Sequence, residues 1–314
     1  MIDSGGNATE NWDKINAVQR MQDYIELHLS EPITLRMIST TAGYSPWHST
    51  RIFKELVGKT PFEYIRNLRL SRAATMLSET NAKIIDVALD FEFSTHEGFT
   101  RAFSRQFGIK PYYYRKNNPP IKIFIPESIR ERYLNLLKGE IQMSESTNTD
   151  TVFVQVIERP KRKLILKRGI KASDYYEYCQ EEGCDDVWNT LIEIKQALYE
   201  PMGVWLPANM KKPGTSTYAQ GVEVPVEYEE DIPEGFDIIE LQPCKMMIFQ
   251  GQPYDDKEFE QAISSLWAVM KNYNPELYGF EWTDEDAPRF QYEPQGYRGY
   301  IEGRPVKQVN LKEK

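Results

Sequence analysis

Apolar residues at 12, 15, 18, 21, 25 and 29 fall at helical spacing, which predicts an opening helix from Trp12 to Leu29. Glu31-Pro32 stops it, and Thr34 can cap a short helix over Leu35–Ala42. Gly43-Tyr44-Ser45 supplies a tight turn. Ser45-Pro46 then starts another helix, with a capping serine and a proline at the position where no hydrogen bond is lost. Its pattern turns Ile52, Phe53 and Leu56 inward and leaves Trp47, His48, Thr50 and Arg51 on the outer face. Thr60-Pro61-Phe62-Glu63 predicts a capping box at the head of a long helix. Ile65, Leu68, Leu70, Ala73, Ala74 and Leu77 form its buried stripe, and Arg66, Arg69 and Arg72 its solvated one. The short-helix, turn, helix pattern then recurs as Ile85–Phe91, Glu92-Phe93-Ser94 and Thr95–Phe107. Phe99, Phe103 and Phe107 repeat every four residues toward the core, leaving His96, Glu97, Thr100 and Arg101 outside. Ser94-Thr95-His96-Glu97 reads as a second capping box.

Beyond Asn117-Asn118-Pro119-Pro120 the pattern changes. Residues 123–137 have mixed helical character, and Gln142–Asp150 is a Ser/Thr/Asn/Glu stretch of linker type. From 152 the period becomes that of strands. Strands are expected at 152–157 and 163–166, a helix at 187–198, and strands at 203–206 and 217–226. The order repeats with strands at 236–241 and 245–249, a helix at 257–273, and strands at 277–282, 289–292 and 297–302. The reading is a multidomain chain: an all-α double helix-turn-helix domain followed by an α+β domain of two β-β-α-β-β halves. The boundaries are a disordered 1–10, the helical domain at 11–117, a linker at 118–150, the α+β domain at 151–310 and a tail at 311–314.

The net charge of -9 changes the picture once it is divided. Residues 1–118 carry 15 Lys and Arg against 13 Asp and Glu, a net of +2, and the remainder carries 23 against 34, a net of -11. One half tolerates phosphate and the other repels it. Two helix-turn-helix readings in the tolerant half are the layout that lays helices in a DNA major groove. No run approaches the length of a membrane span and no signal peptide opens the chain, so a soluble cytoplasmic protein is expected. Cys179, Cys184 and Cys244 are too few and scattered for a disulfide framework.

Several motifs carry a family resemblance. Gly43-Tyr44-Ser45 with Phe53-Lys54 marks the first unit. Asp86-Val87-Ala88, Phe93, Phe99-Thr100-Arg101-Ala102-Phe103, Phe107-Gly108, Pro111 and Tyr114-Arg115 mark the second. This stretch resembles the DNA-binding domain of the AraC/XylS family, in the Mar/Sox/Rob arrangement with that domain at the N-terminus. Tyr218-Ala219-Gln220-Gly221-Val222, Ala287-Pro288-Arg289-Phe290-Gln291-Tyr292 and Arg304-Pro305-Val306 resemble a GyrI-like effector-binding domain. One departure stands out: Glu92 sits where the family's second turn usually has glycine.

The resemblance implies double-stranded DNA and a small-molecule effector as partners, with RNA polymerase as a further one and no membrane. It makes Trp47, His48, Thr50, Arg51, His96, Glu97, Thr100 and Arg101 the DNA-facing set, Arg being the commonest base reader. Ser39, Thr60 and Arg66 are candidate phosphate contacts. In the effector half it implies a hydrophobic ligand, cationic in some relatives, held between aromatic walls over a buried carboxylate. The candidates there are Trp205, Tyr218, Glu223, Glu281, Trp282, Tyr292 and Glu302, and the physics is cation–π attraction plus an ion pair. No cofactor, metal or catalytic residue is expected. The three histidines (His28, His48, His96) all lie in the first half, Cys179 and Cys184 lack a second pair for zinc, and no Gly-rich phosphate loop is present. Two rival functions remain on the sequence: a ligand- or protein-sequestering protein, which Glu92 and Gly98 would favour, and a GyrI-like hydrolase.

Overall fold

The computed structural model describes residues 5–80, 82–137 and 152–309. Their contacts divide the chain into two units, residues 1–149 with 271–278 and residues 150–270 with 279–314.

The first unit is helical: α1 (Gly5–Leu27), α2 (Leu35–Ala42), α3 (Pro46–Val57), α4 (Pro61–Glu79), α5 (Ile84–Asp90), α6 (His96–Phe107) and α7 (Pro111–Asn117). A two-residue strand β1 (Ile121–Lys122) and α8 (Ile129–Leu137) follow. Local chemistry starts and stops these helices. Thr34, Ser45 and Thr60 accept from the backbone N–H three residues on, and Gly43 and Gly58 close α2 and α3 in the left-handed conformation. The expected capping box at Thr60 and Glu63 is complete.

α4 ties two cores together. Its first half gives Tyr64, Ile65 and Leu68 to a core shared with α1, α2 and α3. Its second half gives Leu70, Ala73, Ala74 and Leu77 to a core with Phe99, Phe103 and Tyr114. Its 19 residues span about 28 Å at ~1.5 Å per residue. Two of its expected solvated arginines are instead structural. Arg69 donates to the carbonyls of Leu29 and Glu31, and Arg72 lies over the Phe91 ring; only Arg66 is exposed.

Other boundaries differ from expectation. α1 begins at Gly5, within the segment expected to be disordered. Part of the expected linker packs into the helical unit: Ile129, Phe124 and Tyr133 join the first core, and Gln22 bonds to Glu127 and Ile129. The expected Gln142–Asp150 linker stretch and the 311–314 tail lie outside the described residues.

The second unit is built on an antiparallel sheet. Its strands are β2 (Phe153–Arg159), β3 (Arg162–Arg168), β4 (Met202–Trp205), β5 (Tyr218–Pro225), β6 (Asp237–Leu241), β7 (Cys244–Gln250), β8 (Phe280–Trp282), β9 (Arg289–Tyr292) and β10 (Ile301–Gln308). They run in the order β2-β7-β10-β9-β4-β5-β3-β6, with β8 also on β10. At the centre, β4 and β9 pair with Gly203 opposite Gln291. α9 (Tyr175–Glu182) and α10 (Cys184–Ile192) follow β3, and α11 (Phe259–Asn272) follows β7.

The single helix expected at 187–198 is therefore two helices, ending at Ile192, and the strand expected at 297–302 is displaced to 301–308. Pro305 pairs with Met246 of β7 and is tolerated inside β10 because on the other edge it falls between partners: β9 pairs at Glu302 and Gly303, β8 from Val306 onward. No disulfide framework is expected of the three cysteines, yet Cys179 and Cys184 form one disulfide between α9 and α10.

Candidate nucleic-acid interface and ligand cleft

The first head is α3. Ser49, Ile52 and Phe53 are buried, so helical geometry turns Trp47, Arg51 and Lys54 to the opposite side. Trp47 is 70% exposed, and the Arg51 guanidinium lies 5.2 Å from its ring centroid. A tryptophan left in water with an arginine stacked on it presents a flat, cationic surface at low entropic cost. The His48 and Tyr44 rings pack at a tilt with centroids 4.6 Å apart, and the Thr50 hydroxyl donates to the Pro46 carbonyl.

The second head is α6. Phe99 and Phe103 are buried, and His96, Glu97, Arg101 and Arg105 are exposed. Thr100 departs from expectation, because its hydroxyl oxygen is buried. So does the cap. Thr95 caps the helix by accepting from Gly98 N–H, which puts Gly98 rather than Glu97 at the third position and leaves no reciprocal carboxylate. A Cβ at Gly98 would meet the Thr95 hydroxyl at 2.9 Å, so a larger residue there would require that side chain to shift. Glu92 adopts φ 62, the left-handed conformation its turn demands of a residue other than glycine.

Among the phosphate candidates, Ser39 is buried with its hydroxyl on the Leu35 carbonyl, and Thr60 is engaged in its capping box. Arg66 remains free-standing on the surface.

In the second unit, a cavity of about 920 Å³ opens over the sheet beside α11, lined by Trp205, Trp267, Gln291, Tyr297 and Tyr300 among others. A smaller one of about 270 Å³ lies against α9 and α10 and shares Tyr175, Gln291, Glu293 and Pro294 with it. Glu302 sits beneath the larger lobe with no exposed surface. Its Oε1 accepts from the Trp267 indole and, at 2.7 Å, from the Tyr300 hydroxyl. Its Oε2 accepts from Arg289 Nε at 2.8 Å. The Arg289 guanidinium lies 4.6 Å from the Trp205 ring centroid. Burial and the Glu302 charge push the Tyr300 phenol well above its ordinary range, so it stays a donor. The Gln291 amide bridges the Tyr218 and Tyr300 hydroxyls at 3.3 and 2.8 Å.

Three of the seven sequence candidates thus gather here: Trp205, Tyr218 and Glu302. The other four lie elsewhere. Tyr292 borders the smaller lobe, but it follows Gln291 on β9, so its ring turns to the opposite sheet face, where its hydroxyl accepts from Arg159 at 3.0 Å. Glu223 is buried between Arg159 at 2.6 Å and Arg162 at 2.7 Å, an odd number of residues along β5 from Gln220 and therefore on the opposite sheet face. Glu281 pairs with Lys307 on the surface, and Trp282 lies under Arg304 at 4.2 Å. Arg289, Gln220, Gln291 and Tyr300 escaped the sequence reading. The quoted motif held Arg289 and Gln291, but nothing local reveals which side chains meet across strands. Among the described residues no cluster suited to a metal ion occurs, and no helix is long and apolar enough to cross a membrane.

Two helix-turn-helix units on one strut, each exposing one polar helix face, define a DNA-binding protein with two reading heads. Residues 38–117 match the family model described as a helix-turn-helix domain. The chain is 38% identical over 92 residues to the HTH-type transcriptional activator AarP of Providencia stuartii, covering 29% of this chain and 68% of that one. The chain belongs to the family of helix-turn-helix transcription regulators of which AarP is a member. It is also 35% identical over 119 residues to the transcriptional regulator Rob of Salmonella typhimurium, over 35% of this chain and 41% of Rob's length. Among solved structures it is similar to an AraC-type regulator from Chromobacterium violaceum, at 28% identity and a TM-score of 0.31, over 32% of this chain and 90% of that one.

Proposed function

We propose that this chain is a sequence-specific transcription regulator that reads an asymmetric DNA site with α3 and α6 and senses a hydrophobic small molecule through a GyrI-like second unit. The observation that carries the DNA reading is the pairing of two exposed helix faces on the α4 strut. Its length of about 28 Å suits heads placed near one ~34 Å turn of DNA, so that the site covers roughly 20 base pairs. Trp47 and Arg51 lead the first head, with His48 and Thr50 beside them. His96, Glu97, Thr100 and Arg101 belong to the second, Arg101 being its exposed cation. RNA polymerase is a natural further partner for a regulator of this class.

The effector reading is supported by the cleft. The strand order is the same from either end, with β3 and β7, β5 and β10, and β4 and β9 exchanging places about the central pair. This is the order expected of a duplicated β-β-α-β-β domain, and clefts at such seams take ligands. The carboxylate of Glu302, held by Trp267, Tyr300 and Arg289, supplies the polar anchor, and Trp205 and Tyr218 line the cleft beside it.

Hydroxyl-radical footprinting on a selected DNA site tests the first part. Two protected blocks about one turn apart on one face of the duplex are expected; a single block, or none, would contradict it. Tryptophan fluorescence of the full chain, titrated with cationic, neutral and anionic amphiphiles, tests the second. Saturable quenching that changes in Glu302→Gln is expected. Silence toward every class would favour a sequestering role.

A further inference from the structure

We propose that the smaller lobe of the cleft is a second ligand subsite, built for a protonated amine that keeps at least one N–H, with Gln220 as its hydrogen-bond acceptor. This deepens the effector reading and rests on it. Gln220 has no exposed surface and lines the lobe between β5 and the α9–α10 pair. Its Nε2 lies 3.5 Å from Cys184 Sγ. Its Oε1 accepts no hydrogen bond from any described residue. The Cys184 sulfur is bonded to Cys179, so it has no S–H to offer and can only accept. That orients the amide: its N–H end belongs at the sulfur and its carbonyl end in the cavity. A buried amide oxygen without a donor is costly, and the cavity that Gln220 lines is the adjacent space for one.

The surroundings name the donor's charge. Asp185 and Glu293 bring carboxylates to this lobe, Tyr175 and Trp188 bring aromatic rings, and none of its lining residues is basic. The neighbouring lobe carries carboxylates of its own, Asp174, Asp256, Glu260 and the shared Glu293, while the buried Glu302 beneath it already holds Arg289. Negative charge therefore lines both lobes, and what sets the smaller one apart is the unpartnered acceptor of Gln220. A quaternary ammonium would satisfy the rings and carboxylates but has no hydrogen for Gln220. A primary or secondary ammonium satisfies all three, and a space of about 270 Å³ accommodates such a head with one aromatic ring.

The test compares 2-phenylethylammonium with its N,N,N-trimethyl analogue and with 2-phenylethanol, by calorimetry and tryptophan fluorescence on the full chain without reductant. The primary ammonium should bind at least roughly tenfold more tightly than the trimethyl analogue, the scale of one charge-assisted hydrogen bond. Gln220→Met should abolish that preference by lowering the primary ammonium's affinity to that of the trimethyl analogue. Gln220→Glu, which keeps the shape and an acceptor, should enlarge it. Equal affinities in the unaltered chain, or a preference that survives Gln220→Met, would overturn the subsite while the wider cleft remains a ligand site. So would binding of the alcohol with no binding of either cation. A chain silent to all three and to larger amphiphiles would remove the effector reading, and this inference with it.

Discussion

Arg289 donates from Nε to the fully buried Glu302 carboxylate at 2.8 Å, so the buried acid beneath the larger lobe already has its cation. Any cationic ligand that seeks Glu302 must displace that guanidinium from both the carboxylate and the Trp205 ring. Arg289→Met should therefore raise the affinity of a hydrophobic cation for this lobe by roughly tenfold, the scale of one charged hydrogen bond. The same change should cost on the order of 1–2 kcal/mol of stability, less than a wholly buried pair because the Arg289 side chain is 35% exposed. Calorimetric titration and urea denaturation of the variant measure the two effects, and they should move in opposite directions.

Glu92 at φ 62 holds the turn between α5 and α6 in a conformation that costs a residue with a Cβ about 1 kcal/mol or more. Glu92→Gly should stabilise the helical unit by about that amount, after glycine's own entropic penalty is set against the relief. It should also tighten DNA binding at low salt, since a negative charge leaves the turn before the second head. A denaturation midpoint that falls on substitution would show the left-handed residue to be unstrained.

Glu26 gives the helical unit a pH dependence. Burial, opposed by the Tyr64 hydrogen bond and assisted by the charge of Asp23, raises its carboxyl from 4.5 to about 7; the Tyr278 phenol also lies near. Because the folded value is the higher one, the contribution is stabilising below pH 4.5 and is lost as pH rises through about 7. For a partly buried group the loss is on the order of 1–3 kcal/mol. Glu26→Gln should flatten that window, adding stability at pH 8 and changing little at pH 4. Urea titrations at both values decide it; equal effects at the two would contradict the assignment.

Much of the helical unit was legible in the sequence because its signals are local. Ser45-Pro46, Thr60 with Glu63, and the Phe99/Phe103 repeat each act within a turn or two of helix. α9 was missed because only Tyr178 is buried along it, so no apolar stripe forms. β10 was displaced because Pro305 argues against a strand until its partners on either side are known. The cleft was half legible. Trp205, Tyr218 and Glu302 are residue types that draw the eye, whereas the role of Gln220 depends on a disulfide between α9 and α10, and that of Arg289 on its reaching the carboxylate of the adjacent strand. Glu223 shows the converse, a buried carboxylate whose two arginine partners make it structural.

The account's central claim is that α3 and α6 both read bases, and DNA selection from random sequence by the full chain tests it most directly. The expected result is an asymmetric motif of two blocks with centres about 10 base pairs apart. Arg51→Ala should lose on the order of 1–3 kcal/mol on that site and erase preference within one block only, and Arg101→Ala should do the same within the other. Enrichment of no motif, or one unchanged by Arg51→Ala, would contradict the claim.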